Sequence, residues 1–493
     1  MSTFALRTAP AQLLVWPVIL AALGLVALGT GVAPVVAPLA LIGLAAILAA
    51  PMQVVALALL AVALLADNPG ERPMQELWRS PLSGIGSLVY DNLRHHTGIE
   101  ALRFCALELM VALLVGVILL RKFRKDPIDD PHRLGALPNP MKVAFGFFFA
   151  AIVFLEVYGL MRGGDFKNSL WQIRELFWLP LLGVLFGNAF KSAGARVGVL
   201  RTLMVAAWVR CAMGIYFYVV YCRPAGIKPD YTTTHSDSVL TVVAMLVGAT
   251  SLAERPSRDH VMLNLLLQPV LLVGLIVNNR RLAFVSLAVA LAALVLAGPP
   301  SLLRFLKRSV IVMIPVALLY VAVGWNSTSG IFKPVSMIRS VTSQDDSSSQ
   351  TRDIENYNLV LTLNRHPVLG SGFGHEYVEQ VQANRVDQYF AQYRYIAHNS
   401  VLWLLSIAGW IGFTLLWAVF PVALLISLRV HRQSTTAVDR VTAFATAAAV
   451  LCFVLQAWGD MGLQSWMGTL VVTSLMGATG SMFTAHQRLE VSA

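Results

Sequence analysis

The chain has 493 residues, of which 57% are hydrophobic and only 13% charged, with a formal net charge of +11. Soluble domains carry about 25% charged residues, so the composition excludes a soluble enzyme; recurrent apolar runs of about 17 residues or more specify an all-α polytopic membrane protein. The positive balance would suit nucleic acid, but the lysines and arginines fall in short loops on alternate sides, as the positive-inside rule requires, so no nucleic-acid partner is expected.

The first apolar run follows Arg7 and is too long for the core of a signal peptide, so it reads as an uncleaved helix. About fourteen spans are expected, near 12–32, 34–50, 52–66, 101–120, 143–161, 176–190, 202–221, 237–253, 261–277, 282–298, 309–324, 399–427, 441–457 and 463–484. Pro34, Pro38 and Pro51 leave open that the spans at 34–50 and 52–66 form a re-entrant pair. With both termini in the cytoplasm, the groups Arg121–Lys142, Lys191–Arg201, Arg255–Arg258, Arg304–Arg308 and Arg429–Arg440 all lie in cytoplasmic loops.

Four segments then face outward: 67–100, 162–175, 222–236 and 325–398. Segment 162–175 has an amphipathic pattern, with Leu170, Ile173 and Leu176 at helical spacing. Segment 325–398 is too long to be structureless and should contain helices of its own. One is expected over 351–364, with Ile354, Tyr357 and Leu361 on one side and a stop at Pro367 and Gly370. Glu156 and Arg210, charged and inside spans, are expected to form a buried ion pair. The organisation is therefore 1–260 as N-terminal transmembrane helices, 261–427 as a core including the outer loop 325–398, and 428–493 as C-terminal transmembrane helices. The four cysteines have neither a disulfide framework nor metal-ligand spacing, so no metal or cofactor is expected.

Chemistry concentrates in the long loop and at its exit. Arg352 opens the helical stretch, which ends in P-V-L-G-S-G-F-G. Gly370, Gly372 and Gly374 lack the strand–turn–helix setting of a nucleotide-binding loop. They read instead as a tight turn returning the Arg352 helix towards His398. His398 and Asn399 enter the next span in the form H-N-x9-G-x-x-G, where Gly409 and Gly412 permit close helix packing. Arg280 and Arg281 stand in N-N-R-R between two apolar runs at an outer face, where they either snorkel to lipid headgroups or bind phosphate oxygens with Arg352. Arg174 ends S-L-W-Q-I-R and reads as a substrate contact or a surface anchor. Tyr395 closes the aromatic tract 388–395, either an interface belt or a surface for sugar stacking.

From about 260 to 425 these motifs resemble the O-antigen ligase/polymerase superfamily, which includes ligases and Wzy-type polymerases. The resemblance implies a GT-C-like glycosyltransferase of the bacterial inner membrane with a periplasmic active site. His398 would then be a catalytic residue that deprotonates the acceptor hydroxyl, and Arg281 and Arg352 would align with the family's catalytic arginines. Arg280, Arg174, Asn399 and Tyr395 would contact pyrophosphate or sugar. The implied partners are an undecaprenyl-pyrophosphate-linked glycan, an acceptor glycan or lipid A core, membrane lipids and a chain-length regulator. Val285 and Asn356 break an R-x3-L element of the ligases at Arg281 and Arg352, which favours a polymerase of O-antigen or exopolysaccharide repeat units over a ligase. A protein O-oligosaccharyltransferase would share the machinery. A lipid-linked sugar flippase is the alternative from another class; it should show inverted repeats and acidic coupling residues, yet no repeat is evident and only Glu108 and Glu156 are clear acidic candidates within spans.

Overall fold

The computed structural model describes residues 50–68, 82–98, 100, 103–124, 137–229, 231–297, 318–327, 347–382 and 392–492, with a few further positions between 311 and 339. Among the described residues the regular structure is helical, and the one strand-like pairing is an isolated bridge between Asn92 and Cys105. The helices are α1 (Met52–Leu65), α2 (Ser83–Tyr90), α3 (Arg94–Thr97), α4 (Ala106–Arg124), α5 (Asn139–Met161), α6 (Phe166–Ala189) and α7 (Ala193–Phe217), which runs on into a π-helical turn. They continue as α8 (His235–Glu254), α9 (Arg258–Asn278), α10 (Arg281–Ala297), α11 (Ser347–Arg365), α12 (Ser400–Trp417), α13 (Val419–Gln433), α14 (Ala437–Gly459) and α15 (Trp466–Ser492).

Six stretches among the described residues are long and apolar enough to cross a membrane: α5, Ala193–Cys222, Ser236–Glu254, α9, Ser400–Gln433 and α14. Of the fourteen spans expected, 12–32 and nearly all of 34–50 lie outside the described residues, and 309–324 is described only in part. Those at 52–66 and 282–298 are α1 and α10; the 14 residues of α1 fall short of the roughly 20 needed for a perpendicular crossing, and α10 runs to the edge of the described residues. The amphipathic segment expected over 162–175 and the span after it are one helix, α6, capped by the Asp165 side chain on the Asn168 N–H.

Lipid gives helices no hydrophobic reason to associate, so the packing depends on small residues. A Cβ built on Gly477 of α15 would lie 2.5 Å from the Gly187 nitrogen of α6, which puts the two backbones in contact. Ala445, Ala448 and Ala449 bring α14 equally close to the centre, whereas Met262, Leu265 and Leu266 of α9 are exposed where lipid would lie. All four cysteines are buried and unpaired.

Two expectations are corrected. Arg210 does not pair with Glu156. It pairs with Asp237 and Asp67 and donates to the Ala66 carbonyl, joining α1, α7 and α8. Asp237 also completes a capping box with Thr234 at the start of α8, so both its oxygens are engaged. Glu156 instead accepts from the Ser169 hydroxyl at 2.6 Å. The other correction concerns α11, which buries Glu355, Asn358, Leu359 and Thr362 while Tyr357 is half exposed. Its inner face is polar because those side chains bind backbone: Asn358 caps the N–H groups of Gln380 and Val381, and Thr362 that of Val378. Apolar spacing is therefore the wrong guide to this helix.

Candidate functional site

Five segments converge at one end of the bundle. The first is the glycine turn, whose three glycines all have left-handed backbones, with φ of 68°, 82° and 84° at Gly370, Gly372 and Gly374. The turn is inserted into a break in α12. At Gly409 the helix leaves its path (φ 62°, ψ −178°), which frees backbone groups on both sides. The Gly372 N–H donates to the Ile407 carbonyl at 2.9 Å, and the Trp410 and Ile411 N–H groups donate to the Pro367 and Val368 carbonyls at 2.8 and 3.1 Å. The loop thus supplies partners where the helix loses its own, as irregular backbone inside a membrane protein must arrange. Gly159 of α5 lets Phe373 dock against its backbone, and the Arg162 guanidinium holds the Gly370 carbonyl at 3.2 Å.

This insertion sets α11 alongside the start of α12. The imidazole Nδ1 of His398 donates to Glu355, at 2.8 Å from one carboxylate oxygen and 3.0 Å from the other. A carboxylate only accepts, so Nδ1 carries the proton and Nε2 is the nitrogen left for substrate. One residue on, Asn399 donates to Asn356 at 3.1 Å while its oxygen caps the Leu402 N–H. Both ends of the Asn399 amide are thus occupied in holding the two helices together. Burial opposes a charged imidazolium at His398, but the Glu355 hydrogen bond and charge, with Asp460, outweigh it and the repulsion of Arg352. The His398 pKa therefore lies above its ordinary value.

The guanidinium groups approach from the α9–α10 junction and from α11. Asn279 is the one non-glycine residue with a positive φ among the described residues, at 59°, a conformation asparagine tolerates. It turns the chain between α9 and α10 so that Arg280 lies 3.6 Å over the Tyr231 ring. Asn278 fixes that loop by accepting the Thr233 N–H at 2.8 Å and donating to the Ser238 hydroxyl. Burial lowers the Arg280 pKa; Asp460 and Tyr231 oppose this and Arg352 adds to it, so the two arginines lie within each other's field. The Arg280 Nε is buried with no hydrogen-bond partner among the described residues. Arg352, half-buried one turn before Glu355, has no carboxylate partner among them. Arg281 is the first residue of α10 and half-buried.

The remaining candidates are held by protein groups. Arg174 grips Glu108 with two nitrogens, at 2.6 and 2.7 Å, and reaches Asn92, locking α6 to α4. Tyr395 has its carbonyl tied to Gln172 and Trp403, and its phenol is engaged by Asn168 and Glu376. Most of the aromatic tract before it lies outside the described residues. Glu355, Asp460 and Tyr231 do not stand out in the sequence. A carboxylate within a polar helix has no signature of its own, and the other two reach the site from segments far apart in the chain.

Residues 269–417 match the family described as O-antigen ligase, a segment that contains Arg280, Arg281, Arg352, Glu355 and His398 but not Tyr231 or Asp460. No curated protein matches the chain. That segment, with the arginines and the histidine it carries, is thus similar to the O-antigen ligase family, in agreement with the resemblance read from the sequence motifs.

Proposed function

We propose that this chain is an inner-membrane glycosyltransferase that moves a glycan from an undecaprenyl-pyrophosphate donor to an acceptor hydroxyl on the periplasmic side, with inversion at the anomeric carbon. The observation that carries the reading is the Glu355–His398 pair, which occupies Nδ1 so that Nε2 is the basic nitrogen of the neutral imidazole, with Arg352 within the field of both His398 and Arg280. Nε2 takes the acceptor proton as its oxygen bonds to the anomeric carbon. The bond from that carbon to the pyrophosphate oxygen breaks, and the lipid pyrophosphate departs with the electron pair. Arg352 and the Arg280–Arg281 pair neutralise the growing phosphate charge. In this scheme the guanidinium groups supply the positive charge at the leaving group. Tyr231 holds Arg280 flat and limits how far it can move away.

The acceptor is proposed to be a further lipid-linked repeat unit, which makes the protein a Wzy-type polymerase, because Val285 and Asn356 replace the leucines of the ligase element. The test uses purified full-length protein in detergent with lipid-pyrophosphate-linked repeat units. A ladder of longer glycans is expected from the native chain and none from His398→Ala. Because detergent offers no compartments to transport between, the ladder also separates a transferase from a flippase. Transfer to lipid A core without a ladder would show a ligase, and a full ladder from His398→Ala would overturn the proposed mechanism.

A further inference from the structure

The same helices enclose a cavity at their other ends that the proposed chemistry does not use. Its volume is about 860 Å³, within the range of small-molecule sites. It is formed by the first half of α7, the end of α8, the first half of α9 and the start of α14. The opposite ends of three of these helices reach the His398 cluster: α8 begins after Tyr231, α9 ends next to Arg280, and α14 ends at Asp460. The cavity and the candidate active site therefore lie towards opposite membrane faces. The cavity end carries the clustered arginines that the charge rule assigns to the cytoplasm.

Its depth and lining specify an occupant. Along α7 the lining runs inward from Arg201 to Trp208, which at 1.5 Å per residue is about 10 Å, roughly two-thirds of one leaflet's share of a hydrocarbon core of about 30 Å. The wall is apolar, with Met204 and Leu263 among its side chains, while Arg201, Arg255 and His260 stand at the mouth. Asp259 is also there, but it forms no ion pair with either arginine among the described residues. His260 bonds the Ser257 hydroxyl through Nδ1 at 2.7 Å, so its Nε2 is available. Trp208, further in, has an enclosed indole N–H without a hydrogen-bond partner among the described residues.

We propose that this cavity binds one anionic glycerophospholipid of the cytoplasmic leaflet. The acyl chains lie along the apolar wall towards Trp208, and the phosphate sits between Arg201 and Arg255. This is amphipathic complementarity: cations at headgroup level and hydrocarbon beyond. It does not rest on the transfer reaction, and its test needs no glycan.

The experiment measures lipid adducts by native mass spectrometry, and melting temperature, on the full chain in detergent with phosphatidylglycerol or phosphatidylcholine. Phosphatidylglycerol is expected to bind at least about 10-fold more tightly and to raise the melting temperature. The double variant Arg201→Gln/Arg255→Gln should lose that preference. Should the double variant fail to fold, salt titration of the native chain replaces it, and binding should weaken as salt rises. Equal binding of both lipids, insensitivity to charge and salt, or equally tight binding of glycerol phosphate alone would overturn the proposal.

Discussion

His398 owes its position to Glu355, 43 residues earlier in the chain, and the pair makes a prediction about pH. A general base works as the neutral imidazole, and Glu355 stabilises the protonated form. Activity should therefore rise with pH through a pKa above the ordinary histidine value. Glu355→Gln removes the charge and the stronger acceptor, so the acidic limb of the rate profile should move to lower pH while the maximal rate falls. Rates of glycan extension across pH decide this, and an unmoved limb would mean that Glu355 only packs. At this scale the sequence exposes His398 and the arginines through their unusual setting at a membrane face. It does not expose Glu355, since acids are ordinary in a polar loop and only contact with the imidazole distinguishes this one.

At the scale of elements, the decisive feature is the break in α12 that receives the glycine turn. The tight turn expected at Gly370, Gly372 and Gly374 is present, but Gly409, which reads as a helix-packing residue in the sequence, is where the helix breaks. A side chain there faces two penalties: a left-handed φ and a Cβ about 2.5 Å from the Gly370 nitrogen and the Val368 carbonyl. Gly409→Ala should cost at least about 1–3 kcal/mol, and it should lower transfer activity because the loop holding Glu355 loses its seat. Gly146→Ala is the control: its Cβ would meet nothing within 4 Å, so the change should be neutral or stabilise by about 0.5–1 kcal/mol. Melting temperatures in detergent compare the two. The turn and the break cannot be matched from sequence, because nothing in either segment marks the hydrogen bonds that only the other supplies.

For the whole molecule, the buried cluster of Arg210, Asp237 and Asp67 ties α1, α7 and α8 together. Arg210→Met would leave a buried carboxylate unpaired, at a cost of about 3–5 kcal/mol. A large drop in melting temperature should follow even though no proposed active-site group is touched; retention of native stability would show that water already reaches Asp237. Composition alone determined that the chain is a helical membrane protein, because apolar runs long enough to cross hydrocarbon have no other stable form in lipid. Motif spacing determined which loop should hold the chemistry. Which carboxylate meets His398, which acid meets Arg210, and which of the adjacent arginines stacks on Tyr231 were decided only by the fold. The physical reason is one of range: helix formation follows from neighbours three or four residues apart, whereas a buried charge is satisfied by whichever opposite group tertiary packing brings within reach.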